Sequence, residues 1–313
     1  MKTEQKGTLF VIISALMWGV SGVTVQYSYM QNYFTTGQIV GVRLLTTGVL
    51  LLIYNLMKKD AGIYRIFKDW RDVLGLAFFS IVGMAGVQYT FFATVEESNS
   101  PTASILQFLY PVIVLFIVTR QQRRMPTGLE SFRIALAIVG TFLIATHGQL
   151  GSLAITKEAL GWGLASAMCM ALYTVYSKRI VAKWGTWVVN GWGMFFGGIV
   201  IALISHDEMR EIQWSVGGVV CLWVIVLMGT LIPFGLYLKG VLYVGGIKAS
   251  ALCCIETLAI LVWAVILFGQ KLEPGDVAGI VCIISAVVIP AVLEQREKKK
   301  KNCLDMGNVI SSD

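Results

Sequence analysis

The sequence predicts an all-α membrane protein, with ten transmembrane helices arranged as two inverted five-helix repeats. Three observations carry that fold class. Of the 313 residues, 56% are hydrophobic and only 14% are charged, against about 25% charged in an ordinary soluble domain, so a single soluble core does not account for the apolar surplus. The apolar residues fall into ten runs of spanning length, separated by short polar connections. The fourth run also has a partial copy in the ninth, five runs later.

The first run, 7–28, follows Lys2 and Lys6 and begins like a signal peptide. It continues past the length of a signal core without a small-x-small cleavage site, so it reads as an uncleaved first span. Trp18 lies near its middle, away from the interfacial belt that tryptophan favours. The second run, 35–57, contains Arg43, and the third, 73–93, contains Gln88 and Tyr89. In the fourth, 101–120, helical spacing sets Ser104, Gln107 and Pro111 on one face with Tyr110 beside them. Proline there removes one backbone hydrogen bond, bends the helix and frees a carbonyl one turn earlier. The fifth run is 130–147, and the sixth, 160–179, carries Tyr173 and Tyr176. The seventh, 188–205, carries Trp192, and the eighth, 215–240, carries Tyr237. The ninth, 248–270, holds Glu256 and Trp263, and the tenth is 275–293. Glycines four apart (Gly37/Gly41, Gly193/Gly197, Gly275/Gly279) let helices approach closely, either inside the monomer or across a homodimer face.

Orientation follows from the basic residues. With the N-terminus inside, 21 of the 25 Lys and Arg fall in cytoplasmic segments; only Lys157, Arg210 and Lys271 fall outside, and Arg43 is within a span. Both termini are therefore expected in the cytoplasm of a multi-pass protein of the cell membrane. The same clustering explains the net charge of +7 without nucleic acid. The basic tail, 294–313 with its lysine run at 298–301, suits anionic headgroups. Five of the six cysteines lie in apolar segments as small packing groups, with neither metal-ligand nor disulfide spacing.

The internal copy appears when "TASILQFLYPVIVLFIV" (102–118) is set above "KASALCCIETLAILVWA" (248–264). Ala103 falls on Ala249, Ser104 on Ser250, Leu106 on Leu252 and Leu115 on Leu261, while Tyr110 falls on Glu256 and Pro111 on Thr257. Gly7 at the start of span one likewise corresponds to Gly161 at the start of span six. An interval of five spans is odd, so the second copy must cross the membrane in the opposite sense. Such repeats support alternating access around a midplane site. The repeats are 7–147 and 160–293.

With these ten spans in a 5+5 order, "ALMWGVSG" (15–22), "GVRLL" (41–45), "TASILQFLYP" (102–111) and "KASALCCIET" (248–257) together resemble the drug/metabolite transporter superfamily of EamA type. The resemblance covers about residues 7–293. It implies a ten-helix transporter and, as direction, efflux. The sequence departs from the family pattern where Glu256-Thr257 replaces Glu-Pro, and where Arg123-Arg124 and Gly269-Gln270 replace Gly-Glu.

Polar groups inside spans are the candidates for function, because hydrocarbon penalises each one that lacks a partner. Glu256 is the single charge between Ala249 and Gln270, and an acid at that depth costs roughly 2.5–3.5 kcal/mol even on the lenient scale. It shares a helical stripe with Cys253, Ile260 and Trp263. It can bind a cationic group, carry a coupling proton, or do both in turn; the structural alternative is a protonated acid bonded to a neighbouring helix. Arg43 can hold a substrate carboxylate, pair with Glu256, or serve structure by snorkelling. Gln88 and Gln107 offer donors and acceptors suited to an amino-acid-like ligand. Trp18, Tyr89, Tyr110, Tyr173, Tyr237 and Trp263 are candidates for the apolar wall, or for a cage around a quaternary amine.

Catalytic machinery is not in view. His147 and His206 have no carboxylate pattern suited to metal, and Gly-x-Ser-x-Gly, His-Glu-x-x-His and phosphate-loop motifs are missing. The expectation is a secondary transporter, not an enzyme, without cofactor or metal, for an amino acid or amine. Its partners are the small-molecule substrate, protons as a candidate coupling ion, and the bilayer, as a monomer or homodimer. Uptake of a quaternary amine such as choline is the alternative within transport, and a membrane scaffold or sensor the alternative outside it.

Overall fold

A computed structural model describes residues 3–60, 62–125, 127–146, 155–244, 252, 254–271, 273–285 and 289. Among the described residues all regular structure is helical. Helices α1 (Thr3–Met30), α2 (Thr36–Met57) and α3 (Trp70–Glu97) come first. Then come α4, in two pieces (Ser100–Gln107 and Tyr110–Gln121), α5 (Gly128–Thr146) and α6 (Lys157–Tyr176). Helix α7 is Thr186–Ile204, and α8 runs through Val216–Val226, Leu227–Leu231 and Ile232–Val244. Helices α9 (Cys254–Phe268) and α10 (Pro274–Ser285) complete the order. Seven of them, α1 to α4 and α6 to α8, are long and apolar enough to cross a bilayer. Helices α5, α9 and α10 coincide with the fifth, ninth and tenth expected spans but do not meet that standard over the described residues. His147, Lys248, Ala249, Ser250, Cys253 and the tail 294–313 lie outside the described residues.

Local sequence explains where the helices start and bend. Thr35 and Gln38 form a capping box on α2, and Asp69, Asn99, Thr156 and Ser215 cap α3, α4, α6 and α8. Helix α4 breaks at Phe108 and Leu109, just before the expected bend at Pro111. Helices α3 and α8 each pass through a π-helical stretch near mid-length, Phe79–Gly86 and Leu227–Leu231. The interval that carries Ala103 onto Ala249 also carries Gly83, inside the first stretch, onto Gly229, inside the second.

The packing follows the same exchange between halves. Helix α1 lies against α8 and α9, while its counterpart α6 lies against α3 and α4. Helix α2 lies along α7. A Cβ on Gly48 would come 2.5 Å from the backbone nitrogen of Phe195, and one on Gly198 would come 2.7 Å from that of Leu45. The same sequence interval separates Gly48 from Gly198 and Leu45 from Phe195, so the two contacts are copies of each other. The other close-packed glycines also meet this chain: Gly41 meets Met209, Gly193 the Phe79 ring, and Gly197 the Ser80 carbonyl. Close approach within the monomer accounts for them.

Candidate functional site

The polar centre is built around Arg43, which α2 places in the core at 5% exposure. Its Nε donates to the Thr230 hydroxyl at 2.9 Å, and its Nη2 donates to the Gly229 carbonyl at 2.9 Å. The reason that carbonyl is open lies four residues on. Position 233 is proline, which has no N–H to return to residue 229, and the π-helical turn interrupts the ladder at the same place. Arg43 supplies the missing donor. Glycine at 229 leaves room for both neighbours: a Cβ would collide with the Ser21 hydroxyl of α1 and come 3.1 Å from the Arg43 guanidinium, so one of them would have to shift. The far side of the guanidinium lies over the Phe92 ring of α3, 5.2 Å from its centroid.

Glu256 stands half-buried in the first turn of α9. No ion pair within 4 Å joins it to Arg43 among the described residues. Next to it, Thr257 is 3% exposed and shares a 2.9 Å hydrogen bond with Ser104 of α4. The acid is therefore flanked by a tie between the two halves. The counterpart of Glu256 is Tyr110, and the interval from Gly48 to Gly198 carries Arg43 onto Gly193, where the Phe79 ring fills the space. Each charge is present in one copy of the repeat only, Arg43 in the first and Glu256 in the second.

The other expected site residues divide. Trp18 and Tyr237 are brought together, ring centroids 5.4 Å apart, at the packing of α1 on α8. Gln107 donates to the Ser166 hydroxyl of α6 at 2.8 Å, a helix-to-helix bond. Tyr89 packs edge-on to Trp162, Tyr173 lies against Phe79, and Tyr110 is edge-on to Phe108. Gln88 is half-buried on α3. Trp263 is 37% exposed and lines an apolar groove of about 410 Å³ with Val20, Thr24, Tyr27 and Phe268. On the Glu256 stripe it is Ile260, fully buried against Gly22, that turns inward. The rings thus do not converge on one cage. Gly229, Thr230, Ser21 and Phe92 join the centre without having been expected, although the proline four residues after Gly229 was a readable signal for the first of them.

A sequence profile of the EamA-like transporter family matches residues 5–146 and again residues 157–291. An uncharacterised inner membrane transporter, YicL of Salmonella typhimurium (strain LT2), is 37% identical over 299 residues, covering 96% of this chain and 99% of that protein. An uncharacterised transporter of Clostridium kluyveri is 22% identical over 315 residues, covering 96% of each. A solved crystal structure shares the fold at a TM-score of 0.62 and 15% identity, covering 93% of this chain and 98% of the other.

Proposed function

The chain belongs to the EamA-like transporter family and is a multi-pass membrane transporter, and from that premise we propose a secondary active transporter that moves an amino acid or amine by alternating access. It has ten spans, both termini are cytoplasmic, and efflux is the direction. Supporting the two-fold reading are the double match of the family profile and the exchanged helix contacts, α1 on α8 and α9 against α6 on α3 and α4. An odd number of spans per copy turns that two-fold into an inverted repeat with its site between the halves.

The observation that carries the substrate class is the presence of two charges of opposite sign, Arg43 in the core and Glu256 in the first turn of α9, drawn from different halves and present in only one copy each. A bound zwitterion satisfies both, its carboxylate on the guanidinium and its ammonium on the acid. Without ligand, the Gly229 carbonyl and the Thr230 hydroxyl occupy Arg43. A substrate carboxylate competes for the same N–H groups and so loosens the π-helical turn of α8, which links binding to movement of that helix. Trp18 and Tyr237 supply apolar surface beside α8.

The test is exchange in proteoliposomes of radiolabelled compounds differing by one group: an amino acid, its decarboxylated amine, its deaminated acid and a quaternary amine. The zwitterion is expected to exchange at least about tenfold faster than either singly charged analogue, each of which leaves Arg43 or Glu256 unmatched. Preference for the quaternary amine, persisting from pH 5 to 8, would instead support the aromatic-cage alternative. No exchange by any of the four would favour a scaffold or sensor.

A further inference from the structure

Resting on the transporter reading, we propose that two connectors related by the repeat are opposite gates of the path: a Lys183–Asp72 clasp at one end and a Tyr33–Phe34 wedge at the other. The first connector is the short helix Lys178–Trp184 between α6 and α7. It brings Lys183 Nζ to 2.6 Å from an Asp72 carboxylate oxygen in the first turn of α3, and to 3.8 Å from Asp69, the cap of that helix. Asp72 is 5% exposed. The second connector, 31–35 between α1 and α2, lays Tyr33 and Phe34 over the first turn of α8. A Cβ on Gly217 would come 2.5 Å from the Tyr33 hydroxyl, and one on Gly218 would come 3.0 Å from the Phe34 ring. Phe34 is 6% exposed and edge-on to Trp214 at 6.0 Å.

The correspondence is residue by residue. The interval from Ala103 to Ala249 carries Asp69 onto Ser215, both helix caps, and Asp72 onto Gly218. The interval from Gly48 to Gly198 carries Tyr33 onto Lys183 and Phe34 onto Trp184. In each half, then, the connector after the first helix closes over the start of the other half's third helix. The same architectural joint appears twice, once ionic and once aromatic on glycine. By the basic-residue count the ionic joint is cytoplasmic and the aromatic one external. Each joint bridges the two halves, so a rocking motion that parts one presses the other shut. A charge pair can part into water without exposing apolar surface, whereas the buried Phe34 ring cannot, so the inner gate is the more easily opened.

Hydrogen exchange of the full chain in lipid nanodiscs tests this without any substrate, so its outcome is separate from that of the flux assay. Lys183→Gln, at a half-exposed position, and Asp72→Asn should speed exchange about tenfold at 69–76 and 178–184. Exchange at 31–36 and 214–220 should slow in the same variants. Lys183→Arg, which keeps the charge beside Asp72 and Asp69, should retain the wild-type pattern. If the outer segments do not change, or if both ends loosen together, the two contacts are independent braces and the gating proposal fails. Should Asp72→Asn not fold, Lys183→Gln alone decides, because its effect on the outer segments has a definite sign.

Discussion

Arg43→Met is expected to destabilise the folded protein by about 3–5 kcal/mol, the range for removing one partner from a buried charged network. Two groups lose their partner together: the Gly229 carbonyl, which Pro233 cannot satisfy, and the Thr230 hydroxyl. Methionine roughly keeps the volume against Phe92, so the loss reports polar satisfaction and charge more than packing. Thermal unfolding of the purified protein in detergent measures it. Adding Glu256→Gln should recover part of the loss, because it removes the uncompensated acid while leaving the carbonyl and hydroxyl orphaned. A double variant no more stable than Arg43→Met would show that the two charges are not coupled.

The second large effect is at the crossing of α2 and α7. Gly48→Ala and Gly198→Ala each place a methyl within 2.7 Å of a facing backbone nitrogen, and a backbone cannot step aside as a side-chain end can. Each substitution should lower stability by about 1–3 kcal/mol, and the two should resemble each other because the contacts are copies. Gly161→Ala supplies the control. It sits in α6 with nothing within 4 Å of its Cβ, so alanine there should stabilise by about 0.5–1 kcal/mol through helix propensity. Equal effects at all three positions would mean that close approach is not what holds α2 to α7.

Much of this architecture was readable because bilayer thickness and helical rise fix the length of an apolar run. The first four spans and the sixth to eighth appear as helices at their expected places, and the bend before Pro111 follows from a missing N–H. The isolated charges Arg43 and Glu256 were readable for the same reason, since each is costly enough to need an explanation. What could not be read was which group each would meet. Gln107 and Trp263 occupy plausible faces, yet helix rotation gives the first to Ser166 and turns the second toward an exposed groove. Those outcomes depend on the rotation and depth of helices distant in sequence, which periodicity within one helix does not encode. The π-helical turn at Leu227–Leu231 lies between these cases. Its proline was visible, but its arginine partner sits 186 residues away.

Exchange of the transported amino acid or amine in proteoliposomes, wild type against Glu256→Gln, is the most direct measurement of the central claim. Glutamine keeps the shape of the side chain and removes the negative charge that would face a substrate ammonium or carry a proton. The account predicts that Glu256→Gln remains folded and that exchange falls at least about tenfold, equivalent to roughly 1.4 kcal/mol. Wild-type exchange by Glu256→Gln for every transported compound from pH 5 to 8 would contradict it.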